Sequence, residues 1–218
     1  MTEAQPRRGK SSGASRRRWV RPVAFTLCLV PLAKIGIDAF LGDGLGANPI
    51  AEILNRLGFW TLTLLTITLA CTPAKIILGW TWPLRLRRML GLFAFAYGLL
   101  HFTTYFAIDQ LFDLRAIFAD VAKRKFITLG FLAFLLLVPL ALTSTNGAVR
   151  RLGFVRWKRL HRLVYVVAVL GLVHFYWRVK ADHREPWIFI GIVGTLMLVR
   201  VVSWIRGRIR IQGSGTVP

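Results

Sequence analysis

The sequence predicts an all-α membrane protein, a six-transmembrane-helix bundle, and three observations carry that expectation. Several near-continuous apolar runs exceed about eighteen residues, enough to cross a hydrocarbon core and longer than soluble domains usually hold; 55% of the 218 residues are hydrophobic. The basic residues, which give a formal net charge of +21, fall between those runs, where the positive-inside bias expects them. Aromatic residues, eight of them Trp, flank several runs as an interfacial belt does. The same charge on a soluble chain would point to nucleic acid; its placement between apolar runs argues against nucleic acid and for membrane lipid.

Residues 1–18 (MTEAQPRRGKSSGASRRR) are polar and basic and read as a disordered arm. The first span, 19–41, is too long for a signal-peptide core, and no small-residue cleavage site clearly follows it. Pro22 and Pro31 sit inside it, as membrane helices tolerate. Lys34 and Asp38, four apart, share a face; they read as a surface pair with Lys34 snorkelling, or as a proton or quinone site. The connection 42–55 (GDGLGANPIAEILN) is turn-rich, with a short helical turn from Pro49. The second span starts at Arg56 and runs to Cys71 or beyond, with Pro73 marking its end. The third covers 88–111. Residues 112–125 (FDLRAIFADVAKRK) are amphipathic and mixed in charge, an extramembrane surface helix. The fourth, 126–143, runs into a polar cap of Thr143, Ser144, Thr145, Asn146 and Gly147. The fifth, 150–178, opens on Arg156, Trp157, Lys158 and Arg159 and closes on Phe175, Tyr176, Trp177 and Arg178. The sixth is 187–205. The chain thus divides into an arm (1–18), a transmembrane domain (19–206) and a short tail (207–218). Cys28 and Cys71 lie inside apolar runs without metal-ligand spacing and read as small buried apolar residues. No internal repeat is evident.

Orientation follows from the loops. With six spans, the arm, the second and fourth loops and the tail share one side. They hold Arg7, Arg8, Lys10, Arg16, Arg17, Arg18, Arg21, Lys75, Arg85, Arg87, Arg88, Arg150, Arg151 and more. The opposite loops hold fewer Lys and Arg, so both termini are expected in the cytoplasm. The third loop, with Arg115, Lys123, Arg124 and Lys125, weakens the contrast without reversing it.

Of the four histidines, His183 sits in the loop VKADHREP and reads as exposed, whereas His101, His161 and His174 lie in or at the edge of spans. Ionisable residues in hydrocarbon are costly and tend to be functional, and neutral imidazole is a common axial ligand of haem iron. Counted from the basic side, His101 lies some 13 residues into the third span and His174 some 16 into the fifth. Both fall in the outer half at matching depth, which suits one haem between two imidazoles. The alternative for each is a core histidine satisfied by a backbone carbonyl. His161 lies near the cytoplasmic end of the fifth span; its depth counterpart on the third is Arg87 or Arg88. On an ideal wheel Arg87 and His101 are about 40° apart and His161 and His174 about 140°, which favours one bis-histidine haem over two. Arg87, Arg88, Arg150, Arg151 and the TSTN cap are candidates for anionic headgroups or phosphate, beside the plainer reading of topology and lipid contact.

The runs RRMLGLFAFAYGLLHFTTY, ALTSTNGAVRRLGFVRWKRLHRLVY and HFYWRVK, with GDGLGANP before the second span, resemble the MsrQ family (also called YedZ). These are the haem-binding membrane subunits of the periplasmic methionine sulfoxide reductase system, relatives of ferric-reductase-like transmembrane domains. The resemblance covers nearly all of 20–204 and leaves the basic arm outside. It implies b-type haem, one or two, with His101 and His174 as ligands of the outer haem and His161 as one ligand of an inner haem. The fourth ligand position of the wider relatives falls near Arg87, a departure that leaves the second haem open. It further implies flavin mononucleotide (FMN), quinol as electron donor, a periplasmic molybdopterin-containing MsrP-type catalytic subunit as partner, and a bacterial inner-membrane location. Two other functions are weighed against it. A ferric reductase or NADPH oxidase would need a separate flavin reductase, since no Gly-rich phosphate-binding domain is present. A non-redox scaffold or transporter would carry no haem.

Overall fold

The computed structural model describes residues 19–41 and 44–213; the basic arm 1–18 lies outside the described residues. In chain order these form α1 (Val20–Leu41), α2 (Pro49–Leu78), α3 (Trp82–Thr103) continued by a π-helix (Thr104–Asp109), α4 (Leu114–Lys123), α5 (Lys125–Leu142), α6 (Asn146–Leu152), α7 (Phe154–Leu160), α8 (Leu163–Arg178) and α9 (Arg184–Gly213). There is no strand among the described residues. Six segments are long and apolar enough to cross a membrane: α1, α2, α3 with its π-helix, α5, α7 with α8, and α9 as far as Ile209.

The bundle closes through α2 against α3, α5 against α8, and α9 against α2. Leu57, Leu64, Leu65 and Leu69 of α2 meet Leu86, Leu90, Ala94 and Tyr97 of α3 and Leu137, Val164 and Ala168 beyond them. Lipid is as apolar as this core, so burial does not drive helix pairing in a bilayer; close approach of small residues does. The α2–α3 seam shows how. Thr61 faces Gly98 and Thr68 faces Gly91, a seven-residue step on both helices that keeps an antiparallel pair in register.

Helix ends follow local chemistry. Asn48 caps α2 by accepting the Ala51 N–H at 3.1 Å, with Pro49 in the first turn; such a cap is worth roughly 1 kcal/mol. α2 therefore starts seven residues before the expected Arg56. It also continues through Pro73 to a left-handed cap at Gly79, so Pro73 does not end it. Proline leaves the carbonyl four residues earlier without its N–H partner, and here Arg200 Nη2 supplies the donor to Leu69 O at 2.6 Å. α3 likewise starts at Trp82, ahead of the expected residue 88, which puts Arg85, Arg87 and Arg88 in its first turns.

The fifth span is not one helix. Thr145 caps α6 through the Ala148 N–H, Gly153 turns the chain with φ 75° and ψ 146°, and α7 ends at His161. Across His161 and Arg162 the bonds tighten to i→i−3, Val164 N–H to His161 O and Tyr165 N–H to Arg162 O. The 140° wheel angle between His161 and His174 assumed a straight helix and does not apply. α9 extends to Gly213, past the expected end at residue 205.

At the opposite end Arg56, inside α2, bonds Asp38, Glu52 Oε1 (2.7 Å) and Gly44 O (2.7 Å), while Lys34 bonds Asp38. The Lys34–Asp38 pair is thus part of a tie between α1, the loop and α2.

Six spans require both chain ends on one side. Fusing the same compartment-sensitive reporter to either terminus should give the same reading; opposite readings would remove a span from the bundle.

Candidate functional site

Two histidines and two glycines make one symmetrical arrangement. His101 of α3 places Nδ1 2.9 Å from Leu54 O of α2, and His174 of α8 places Nδ1 2.7 Å from Phe126 O of α5. In each case the next turn of the accepting helix carries a glycine under the ring. A Cβ at Gly58 would sit 3.3 Å from His101 Nδ1, and one at Gly130 only 2.7 Å from His174 Nδ1. The seats read Leu57, Gly58, Phe59 and Leu129, Gly130, Phe131, an echo too short to register as a repeat. A backbone carbonyl accepts only, so each Nδ1 carries the proton and each Nε2 keeps its lone pair. This is the tautomer and the outer-shell hydrogen bond of a metal-bound histidine.

The two rings are neighbours, with centroids 6.3 Å apart and planes at 86°. A metal–nitrogen bond of roughly 2 Å and a ring half-width of about 1.2 Å would set two imidazoles on one metal about 6.4 Å apart. The described residues hold no group of three or more His, Cys, Asp or Glu able to bind a bare ion. Two neighbouring imidazoles without further protein donors fit a metal whose equatorial positions are filled by a macrocycle.

Arg178, one turn beyond His174, donates from Nη1 to Asn55 Oδ1, lies 5.5 Å from the Phe175 ring, and is close enough for its charge to act on both histidines. The sequence marked it only as an interfacial anchor. The signal was its spacing, since positions 174 and 178 share a helix face.

His161 belongs to a second group, about 17 Å along α8 from His174 by helical rise. Its ring lies 4.0 Å from that of Trp157, its Nδ1 3.1 Å from Trp157 O, and its Nε2 3.5 Å from Ser144 Oγ. The TSTN cap closes around it: Trp157 Nε1 donates to Thr143 O (2.9 Å) and Arg88 Nη1 to Asn146 Oδ1 (2.7 Å). Arg87, half-buried, lies on α3 one turn before Gly91, which faces Thr68 of α2. The Nε2 contact is at the limit of a hydrogen bond, so this ring keeps an acceptor for a stronger partner. His183 is half-buried against the Tyr176 ring at 4.8 Å, not exposed as expected. Cys28 and Cys71 are free and buried.

Comparisons agree with the geometry. The profile of the family described as "Ferric reductase like transmembrane component" matches residues 57–172, which include His101 and His161 and stop two residues before His174. The chain is 54% identical to "Protein-methionine-sulfoxide reductase heme-binding subunit MsrQ" of Rhodospirillum rubrum, over 92% of this chain and 96% of that one. Proteins of the same name match at 52% in Herminiimonas arsenicoxydans, over 84% of each chain, and at 48% in Caulobacter vibrioides, over 91% of this chain and 94% of that one.

The glycine seats differ in tightness, and that difference is measurable. Gly130→Ala must push His174 off Phe126 O and should lower stability by about 1–3 kcal/mol, the usual cost of overpacking; Gly58→Ala, with contacts at 3.3 Å, should cost clearly less. Thermal unfolding in detergent compares the two, and equal midpoints would show that the rings do not rest on these glycines.

Proposed function

The chain belongs to the MsrQ family of ferric-reductase-like transmembrane proteins, and on that premise we propose that it is a b-type haem electron-transfer subunit of a methionine sulfoxide reductase system. It takes electrons from quinol in the bacterial inner membrane. It passes them to a periplasmic molybdopterin-containing MsrP-type subunit, which repairs oxidised methionine. The excess of Lys and Arg on the side of the chain ends places both termini in the cytoplasm. The observation that carries the reading is the pair of neighbouring imidazoles, 6.3 Å apart with both Nδ1 groups spent on carbonyls.

His101 and His174 would hold the outer haem, which supplies a one-electron ferric/ferrous couple that needs little rearrangement. The chain's own residues do the rest. Leu54 O and Phe126 O fix the ring planes and raise the basicity of both ligands. Arg178, held by Asn55, offers the outer end a fixed positive charge for a haem carboxylate. At the basic end His161 is the one strong protein ligand of a second, less tightly held haem. Arg87 beside it pairs with a propionate or a quinone oxygen, because a guanidinium is always protonated and a poor metal ligand. The phosphate of FMN would find Arg88, Arg150 and Arg151 at the same end.

If His101 and His174 clamp one low-spin haem, His101→Ala or His174→Ala should abolish most of the bis-imidazole signal while the protein stays in the membrane. Unchanged spectra and haem content in both variants would dispose of the pair. His161→Ala should instead leave that signal intact and slow its reduction by a quinol analogue in stopped flow, with dithionite reduction as the control. A wild-type rate with unchanged haem stoichiometry would make His161 a satisfied interfacial histidine.

A further inference from the structure

We propose that Arg200 and Arg87 form an anion-binding site inside the basic half of the bundle and that it holds a carboxylate of the second haem; the identity of that anion rests on the reading above, the site itself does not. The argument starts at Pro73. Its ring leaves Leu69 O without an intrahelical donor, and Arg200 of α9 reaches across to α2 to fill the gap with Nη2 at 2.6 Å. Nη1 donates to the Tyr165 hydroxyl of α8 at 2.8 Å, and the guanidinium carbon lies 5.4 Å from that ring's centroid. Three helices therefore fix the fork, yet its Nε–H is buried and meets no acceptor among the described residues.

Charge sharpens the point. Arg87 of α3 lies one turn before Gly91, which faces Thr68 beside the Leu69 carbonyl that Arg200 bonds. Two guanidinium groups together inside a membrane repel each other and are costly to bury unpaired. Among the described residues no carboxylate lies there to balance them. Of its nine acidic residues, Glu3 and Asp43 lie outside the described residues. The other seven, Asp38, Glu52, Asp109, Asp113, Asp120, Asp182 and Glu185, all sit at the far end of the bundle, in or beside the loops after α1, α3 and α8. A bound anion would meet both needs, the open Nε–H and the unbalanced charge. Tyr165, which Arg200 bonds, is four residues on from His161, so the anion lies near the proposed ligand of the second haem. A propionate on that haem reaches both arginines; a lipid phosphate is the competing source of the same chemistry.

The rival role for Arg200 is a plain bolt on the Leu69 carbonyl, and Pro73 separates the two. In Pro73→Ala the helix satisfies Leu69 O by itself, so a bolt becomes dispensable while an anion ligand does not. The test uses the full chain in detergent: wild type, Arg200→Gln, Arg200→Lys and Pro73→Ala/Arg200→Gln. The readouts are haem-to-protein ratio, optical redox titration and tightly bound phospholipid phosphorus. Arg200→Gln should lose the second haem component or shift its midpoint to lower potential, because a cation next to the ferric state has gone. The His101/His174 component should not move, Arg200→Lys should keep part of the effect, and Pro73→Ala should not rescue the loss. Rescue by Pro73→Ala, or no change in haem or phosphorus in Arg200→Gln, would overturn the site. A wild type with a single haem would overturn the second-haem reading and with it the carboxylate. Arg200→Gln then decides the site: loss of one bound phospholipid makes the anion a lipid phosphate, and no loss removes the site altogether.

Discussion

A backbone carbonyl surrounded by hydrocarbon has nothing to bond except protein, and this bundle uses that shortage to hold its helices in register. Its polar side chains repeatedly spend a donor on a neighbouring helix's carbonyl. His101 bonds Leu54 O, His174 bonds Phe126 O, Tyr97 bonds Cys28 O at 2.8 Å, and Arg200 bonds Leu69 O. Each contact adds a fixed polar point between two largely apolar helices. Tyr97, 1% exposed, anchors α1, the spanning helix with the fewest other ties to the bundle. The interactions that orient the candidate ligands are thus of the same kind as those that assemble the fold, and a change that loosens one affects the other.

Separation of charge adds a second layer. The far end carries every described carboxylate, balanced by cations such as Arg56, whose three contacts hold the loop after α1. Among the described residues the basic end carries no carboxylate. Its polar order comes instead from neutral groups of the TSTN cap, which pins Trp157 and through it the His161 ring. The two ends therefore achieve rigidity by different chemistry, ion pairs on one side and capped helix ends on the other.

The six spans, the depth match of His101 with His174, and the amphipathic helix after the third span were legible because hydrophobic run length and residue count along a helix are local quantities. The failures were non-local. Pro73 looked like a terminator because the donor that rescues its helix, Arg200, is 127 positions away. Gly58 and Gly130 were unremarkable as residues; their role appears only once a ring from another helix lies on each. The break at His161 was hidden because Gly153 was read inside one continuous span, 150–178, with Thr145 in a polar cap before it, and an apolar run alone does not show whether its backbone is continuous. His161 and Arg87 could be put at similar depth from the sequence, but not tied to Ser144 and Arg200.

The crossed planes of His101 and His174 have one further meaning. Each plane is set by a carbonyl on a different helix, one on α2 and one on α5, so the 86° between them measures how those two helices are rotated about their axes. Were an iron held between them, rings crossed in this way would favour two of its d-orbitals equally and leave them nearly degenerate. Twisting α2 against α5 would uncross the rings and split the pair. The ring pair therefore works as a protractor, in which the angle between two side chains reports the rotation of the two helices that seat them.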